Sequence, residues 1–209
     1  MDDTLGDLVA AVRRLIAVVV GVAEPGEAAG RAARALQALT DGLAQASPAE
    51  RRAHMGGSGA GSGRGATLAD AMAFDLVVGA LNPLAVPLVL SLEPPLAVAT
   101  GTFGVAYQGA PGWVHGGAIA SSFDIVLTAA NILSGAAGPT VDLQVRYHRP
   151  TLLEVPVRFE AEVERRTDRR VASRGRLVQQ EVVTASATGT FVSHTRAVPG
   201  IADRQEPAG

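Results

Sequence analysis

A glycine-rich turn, Gly112-Trp113-Val114-His115-Gly116-Gly117, opens into the apolar run AIASSFDIVLTAANIL, and Asp124 follows Gly117 by seven residues. The first N–H groups of a helix lack intrahelical partners and carry partial positive charge. The Gly117 amide therefore suits a substrate carbonyl and the oxyanion that grows on it. Glycine allows the close approach that a side chain would block. Asp124, set among Phe123, Ile125 and Val126, can activate water as a general base or attack the carbonyl itself; the residues alone leave both routes open. His115 stands where it can orient the loop or the carbonyl, with Gly116 lining the approach. Seven residues are nearly two helical turns, so Asp124 and the helix start share one face about 10 Å apart. One helix cannot close that gap. A second copy packed antiparallel about a two-fold axis would bring its carboxylate to the first copy's amides.

Each of these residues also has a plainer reading. His-Gly-Gly by itself is a turn with a satisfied histidine, and Asp124 in register is what shifts the reading toward catalysis, because a carboxylate among apolar neighbours is costly. Trp113 lines a channel for the substrate or packs a loop. Arg149, together with Arg146 and the pairs Arg165-Arg166 and Arg169-Arg170, can grip phosphate with a forked guanidinium or stay solvated. His54, His115, His148 and His194 form no ligand cluster in sequence, so the chemistry is expected to need neither metal nor other cofactor.

The elements that position these residues are legible from periodicity. Leu5, Leu8, Val9, Val12, Leu15, Ile16 and Val19 recur at helical steps, and a second stripe runs from Ala28 to Leu43 before Ser47-Pro48. The pair reads as a helical hairpin over residues 1–53 that packs on the core or on a neighbouring subunit without supplying catalytic groups. Residues 54–66 hold the run GGSGAGSGRG, a linker composition. Residues 84–92 and 97–107 then read as strands with Pro94-Pro95 between them, and residues 117–133 as a helix apolar nearly all round. Val141, Leu143, Val145 and Tyr147 alternate with polar residues, and residues 155–164, 171–180 and 182–192 keep the same period. Two strands, one buried helix and four strands in a meander make an α+β domain at 67–198 whose antiparallel sheet wraps its helix, with a tail at 199–209.

The bulk composition removes several classes. With 47% hydrophobic and 18% charged residues and a mean hydropathy of +0.22, the chain is expected to fold rather than remain disordered. A net charge of -2 gives no general attraction to nucleic acid, so a phosphate-bearing ligand must be met by local arginines. The absence of cysteine excludes disulfides, thiolate metal sites and a cysteine nucleophile. Residues 15–23 are too short to span a bilayer, and Asp2 and Asp3 stand where a signal peptide would be basic; a cytoplasmic location without a membrane span is expected.

The segment HGGAIASSFD resembles the His-Gly-Gly and Asp signature of PaaI-like and human THEM-type hotdog acyl-CoA thioesterases. Upstream, Asn82-Pro83, Pro87 and the run from Tyr107 to Gly112 are similar to the segments that lead into that signature; downstream, TVDLQVRYHRP resembles the family strand ending in Tyr-x-Arg-Pro. The resemblance covers residues 66–195 and leaves the helices outside. It implies a hotdog fold and the hydrolysis of acyl-CoA to free acid and CoA by a homodimer or tetramer with its site at the dimer interface. Asp124 would be the catalytic carboxylate, Gly117 the polarising amide and Thr140 a polar residue that helps place water. A β-branched residue fits a strand start anyway, so Thr140 has an equally good structural reading. Asp142 departs from the family's usual asparagine. Two other outcomes stay open: an acyl-CoA-binding protein without turnover, and an enoyl-CoA hydratase, which ranks last because no histidine follows Asp124 within the helix.

Overall fold

Phe103, Phe123 and Phe159 meet edge to face at the centre of the molecule, with ring centroids 5.1 Å apart for Phe123 and Phe159 and 6.4 Å for Phe103 and Phe159. In the computed structural model, which describes residues 3–24, 26–46, 72–136 and 138–192, these rings come from three separate stretches of the chain. The chain runs α1 (Asp3–Val20), α2 (Gly26–Ala46), β1 (Leu88–Glu93), β2 (Leu96–Thr102), a 3-10 turn (Val105–Tyr107), α3 (Gly116–Leu133), β3 (Thr140–Tyr147), β4 (Pro156–Arg166), β5 (Arg170–Gln179) and β6 (Val182–Val192). The expected linker at 54–66 and tail at 199–209 lie outside the described residues.

The six strands form one antiparallel sheet in the order β1-β2-β4-β5-β6-β3. It wraps α3, which buries Ile119, Phe123, Ile125, Val126 and Leu127 against Phe159, Val171, Leu177 and Phe191. This is the hotdog arrangement. By length and hydropathy α3 would also suit a bilayer; here half of it is buried inside the protein. Gly175 on β5 lets the helix approach, since a Cβ there would lie 3.4 Å from the Phe123 ring and 3.0 Å from the Glu160 carbonyl.

The expected four-strand meander is corrected. β4, β5 and β6 follow one another as neighbours, but β3 pairs with β6 and not with β4. The alternation in β3 fixes which side chains face the helix and says nothing of which strand supplies the hydrogen bonds. Two boundaries also move. Pro83 and Pro87 keep 84–87 out of β1, and β2 stops at Thr102, after which Phe103 turns fully into the core and residues 105–107 coil into the 3-10 turn.

Both N-terminal helices form as expected, and they are covered unequally. α1 does pack on the core: Val9 is buried, and the Arg13 guanidinium donates through Nη2 to the carbonyls of Gly79 and Asn82, both at 2.8 Å. α2 instead is exposed at every described side chain except the partly covered Leu36, with Leu39 and Leu43 among the exposed ones, so the described residues form no packed seam between the two helices. Each stripe requires burial but does not specify burial against the other helix.

Candidate active site

The turn before α3 is tied down through its backbone. His115 N–H donates to the Tyr107 carbonyl at 2.7 Å, Val114 N–H to Thr151 at 2.8 Å and Gly109 N–H to Trp113 at 2.9 Å. Tyr107 is anchored in turn, its hydroxyl donating to the Ala85 carbonyl at 2.7 Å, and burial pushes the phenol above its ordinary pKa. The helix therefore starts at a fixed place and angle. His115 is its N-cap, with extended backbone at φ -62 and ψ 133.

The Gly117 N–H, read from sequence as an unpaired donor, has an acceptor here: it donates to His115 Nδ1 at 2.9 Å. An imidazole nitrogen satisfies the orphan amide as a serine or aspartate side chain does in other N-caps. On the preceding peptide, the Tyr147 hydroxyl at the end of β3 donates to the Gly116 carbonyl at 2.8 Å. These contacts explain the two glycines. A Cβ on Gly117 would lie 3.0 Å from His115 Nδ1, and one on Gly116 would lie 3.2 Å from the Tyr147 oxygen.

Two turns along the helix, the half-buried Asp124 accepts a hydrogen bond from the Thr140 hydroxyl, Oγ1 to Oδ1 at 2.7 Å. A shift in strand register between Thr140 and Asp142 sets the first residue of β3 apart from the alternation that follows. β3 thus touches both ends of the candidate site, Asp124 through its first residue and Gly116 through its last. Each group can do one part of a hydrolysis, the amide by holding a carbonyl oxygen and the carboxylate by accepting a proton from water or attacking a carbonyl carbon, but along one helix the two stand about 10 Å apart.

The remaining candidates are placed as follows. Trp113 is 46% exposed and bridges to Leu152 through its backbone. Arg149 is exposed and has no side-chain partner among the described residues, while its N–H donates to Thr184. The Asn82 carboxamide is engaged inside its own loop, donating to Phe74 and accepting from Leu84 N–H. Asp142 is exposed and accepts from Gln144. Among the described residues no group of acidic residues and histidines is arranged to hold a metal. A cavity of about 370 Å³ opens on the opposite face of the sheet, between Glu160, Glu162, Arg174 and Arg176, whose charges pair with one another. Tyr147 is the residue that sequence reasoning passed over. Its signal was its place at the end of the apolar face of β3, after Leu143 and Val145.

Residues 111–187, which hold the turn, α3 and most of the sheet, match the model of the thioesterase superfamily. The family likeness thus falls on the part of the chain that holds the candidate site. A solved thioesterase superfamily protein is 29% identical, with 90% of this chain and 94% of that chain covered and a TM-score of 0.77. A match of that extent takes in N-terminal helix as well as hotdog domain. The chain also matches the Escherichia coli PaaI protein from the phenylacetic acid degradation operon at 19% identity, covering 51% of this chain and 79% of that one at a TM-score of 0.48. A Streptococcus mutans protein solved bound to acetyl CoA matches at 17% identity, with 51% and 88% covered and a TM-score of 0.49. No curated protein matches the sequence.

Proposed function

We propose that this protein hydrolyses acyl-CoA thioesters to the free acid and CoA. The observation that carries the reading is the placement, on one helix of a hotdog domain, of a rigidly held N-terminal amide and a half-buried carboxylate, both tied to the same strand. In the reaction the thioester carbonyl oxygen takes the position on the Gly117 N–H that His115 Nδ1 occupies here. Asp124 accepts a proton as water adds to the carbonyl carbon, the oxyanion collapses, the carbon–sulfur bond breaks, and the departing sulfur takes the proton from Asp124 so that CoA leaves as the thiol. In the second route an Asp124 oxygen attacks the carbonyl carbon, the carbon–sulfur bond breaks and CoA leaves as the thiolate, and water then cleaves the resulting anhydride to free the acid and restore the Asp124 carboxylate. Thr140, by donating to Oδ1, fixes which carboxylate oxygen is free to act.

A homodimer completes the site in this reading. Gly117 and Asp124 stand about 10 Å apart along α3. Among the described residues no further strand lies on the outer edge of β3, and Val141 and Tyr147 are each 51% exposed. An open edge of this kind pairs readily with another chain, and β3 against its own copy would set two α3 helices side by side about a two-fold axis. The absence of cysteine makes the test clean, because a thiol reagent reports released CoA with no protein background. Release of CoA from a panel of short, medium, long and aromatic acyl-CoAs supports the proposal; no release from any of them ends it.

One observation favours a second reading. The Gly117 amide is already satisfied by His115, so a ligand that cannot displace the imidazole would bind without turnover. Calorimetry that detects acyl-CoA affinity in a protein releasing no CoA over hours would select this binding role.

A further inference from the structure

The Gly116 carbonyl and the Gly117 N–H belong to one planar peptide unit, so whatever fixes the oxygen also fixes the direction of the N–H. Two side chains hold that unit from opposite ends. Tyr147 donates its hydroxyl hydrogen to the Gly116 oxygen at 2.8 Å across 31 residues of chain, and His115 Nδ1 accepts the Gly117 hydrogen at 2.9 Å. The two contacts are unequal in what a substrate does to them. A carbonyl that docks on the Gly117 N–H displaces the imidazole and leaves the phenol in place. From then on Tyr147 is, among the described residues, the side chain that restrains the orientation of this peptide from outside the helix. A glycine pair gives the backbone little resistance of its own to rotation. Donation into the carbonyl also polarises the peptide and makes its N–H a stronger donor. Tyr147 is half exposed, at 51%, so apolar burial does not account for an aromatic residue here.

We propose that Tyr147 is a positioning residue that aims the Gly117 amide at the substrate carbonyl, an inference that rests on the acyl-CoA reading of the site. The hydroxyl acts through the backbone and touches no reacting atom. Its contribution is to carbonyl recognition and to the oxyanion, and is absent for a ligand that lacks the carbonyl.

The test compares the full chain with Tyr147→Phe, which removes one oxygen from an exposed side chain. Calorimetry measures two CoA analogues: a ketone in which methylene replaces the thioester sulfur, and an S-alkyl thioether without the carbonyl. Steady-state rates are measured beside them. Loss of a single hydrogen bond of this kind is expected to lower kcat about tenfold and ketone affinity by a similar factor, with KM and thioether affinity changed less than about twofold. Equal weakening of both analogues, or an unchanged kcat and ketone affinity, overturns the proposal. The result also separates the two readings. A wild-type protein that prefers ketone over thioether and loses that preference in Tyr147→Phe, yet releases no CoA, would keep the positioning role and remove hydrolysis. A wild-type protein that binds the two analogues equally, or binds neither, removes the positioning role whatever its turnover.

Discussion

The Thr140 hydroxyl donates to Asp124 Oδ1 at 2.7 Å, joining the first residue of β3 to the middle of α3 across 16 residues of chain. The bond leaves one carboxylate oxygen committed and the other available, which suits a group that must face a water or a carbonyl carbon in one orientation. It also makes the two residues separable by mutation.

Asp124→Asn retains the shape of the side chain and an oxygen for Thr140 to donate to, while removing the charge. Turnover of acyl-CoA is expected to fall by about two to four orders of magnitude, the usual loss for a general base or a nucleophile. The thermal midpoint should stay within a few degrees of wild type. Full activity in the thiol-release assay would exclude Asp124 from the chemistry.

Thr140→Val replaces the hydroxyl with a methyl group of nearly the same size, and Thr140→Ser keeps the donor. Valine is expected to lower kcat about tenfold, equivalent to about 1.4 kcal/mol of barrier, and serine is expected to recover most of it. Equal rates in the two variants would mean that the hydroxyl serves only the fold.

Arg13→Ala tests the attachment of α1. Its guanidinium supplies two hydrogen bonds to the carbonyls of Gly79 and Asn82, so the variant should lose about 2 kcal/mol of stability in urea unfolding. Protease cleavage within residues 3–24 should quicken. Turnover should stay within about tenfold of wild type, as it should when residues 1–60 are deleted, because α1 and α2 supply no side chain to the candidate site. Complete loss of turnover in a truncated protein that still folds and dimerises would place the helices in the active site.

Glu160 supplies a pH-dependent contribution on the opposite face of the sheet. Its hydrogen bond to Arg158, reinforced by the one to Arg176, holds the carboxyl below its ordinary pKa of 4.5. Since the folded value lies below the unfolded one, the stabilisation is complete above about pH 4.5 and is lost as pH falls through the folded value. Glu160→Gln should therefore lower the thermal midpoint at neutral pH and converge with wild type in acid. A constant gap from pH 7 down to pH 3 would contradict the ion pair as its source. Thioester turnover at neutral pH should be unaffected.

What the sequence by itself determined is what depends on near neighbours along the chain. The period of residues 117–133 marked a buried helix, the alternation from Val141 to Tyr147 marked a strand, and the spacing of Gly117 and Asp124 put both on one helical face, because each reflects geometry repeated every few residues. The neighbours of those elements were decided only in the tertiary structure. Alternation in β3 assigns its side chains to two faces but contains nothing that chooses β6 over β4, since backbone hydrogen bonds are the same for either partner. That choice carries Thr140 to Asp124 and Tyr147 to Gly116. The Gly117 amide shows the same division: its place at a helix start was legible, whereas its pairing with His115 depended on the imidazole turning back onto the helix. The stripe of α2 likewise announced an apolar face, and only the folded chain left Leu39 and Leu43 uncovered, because an amphipathic pattern states that a surface needs burial and not what will bury it.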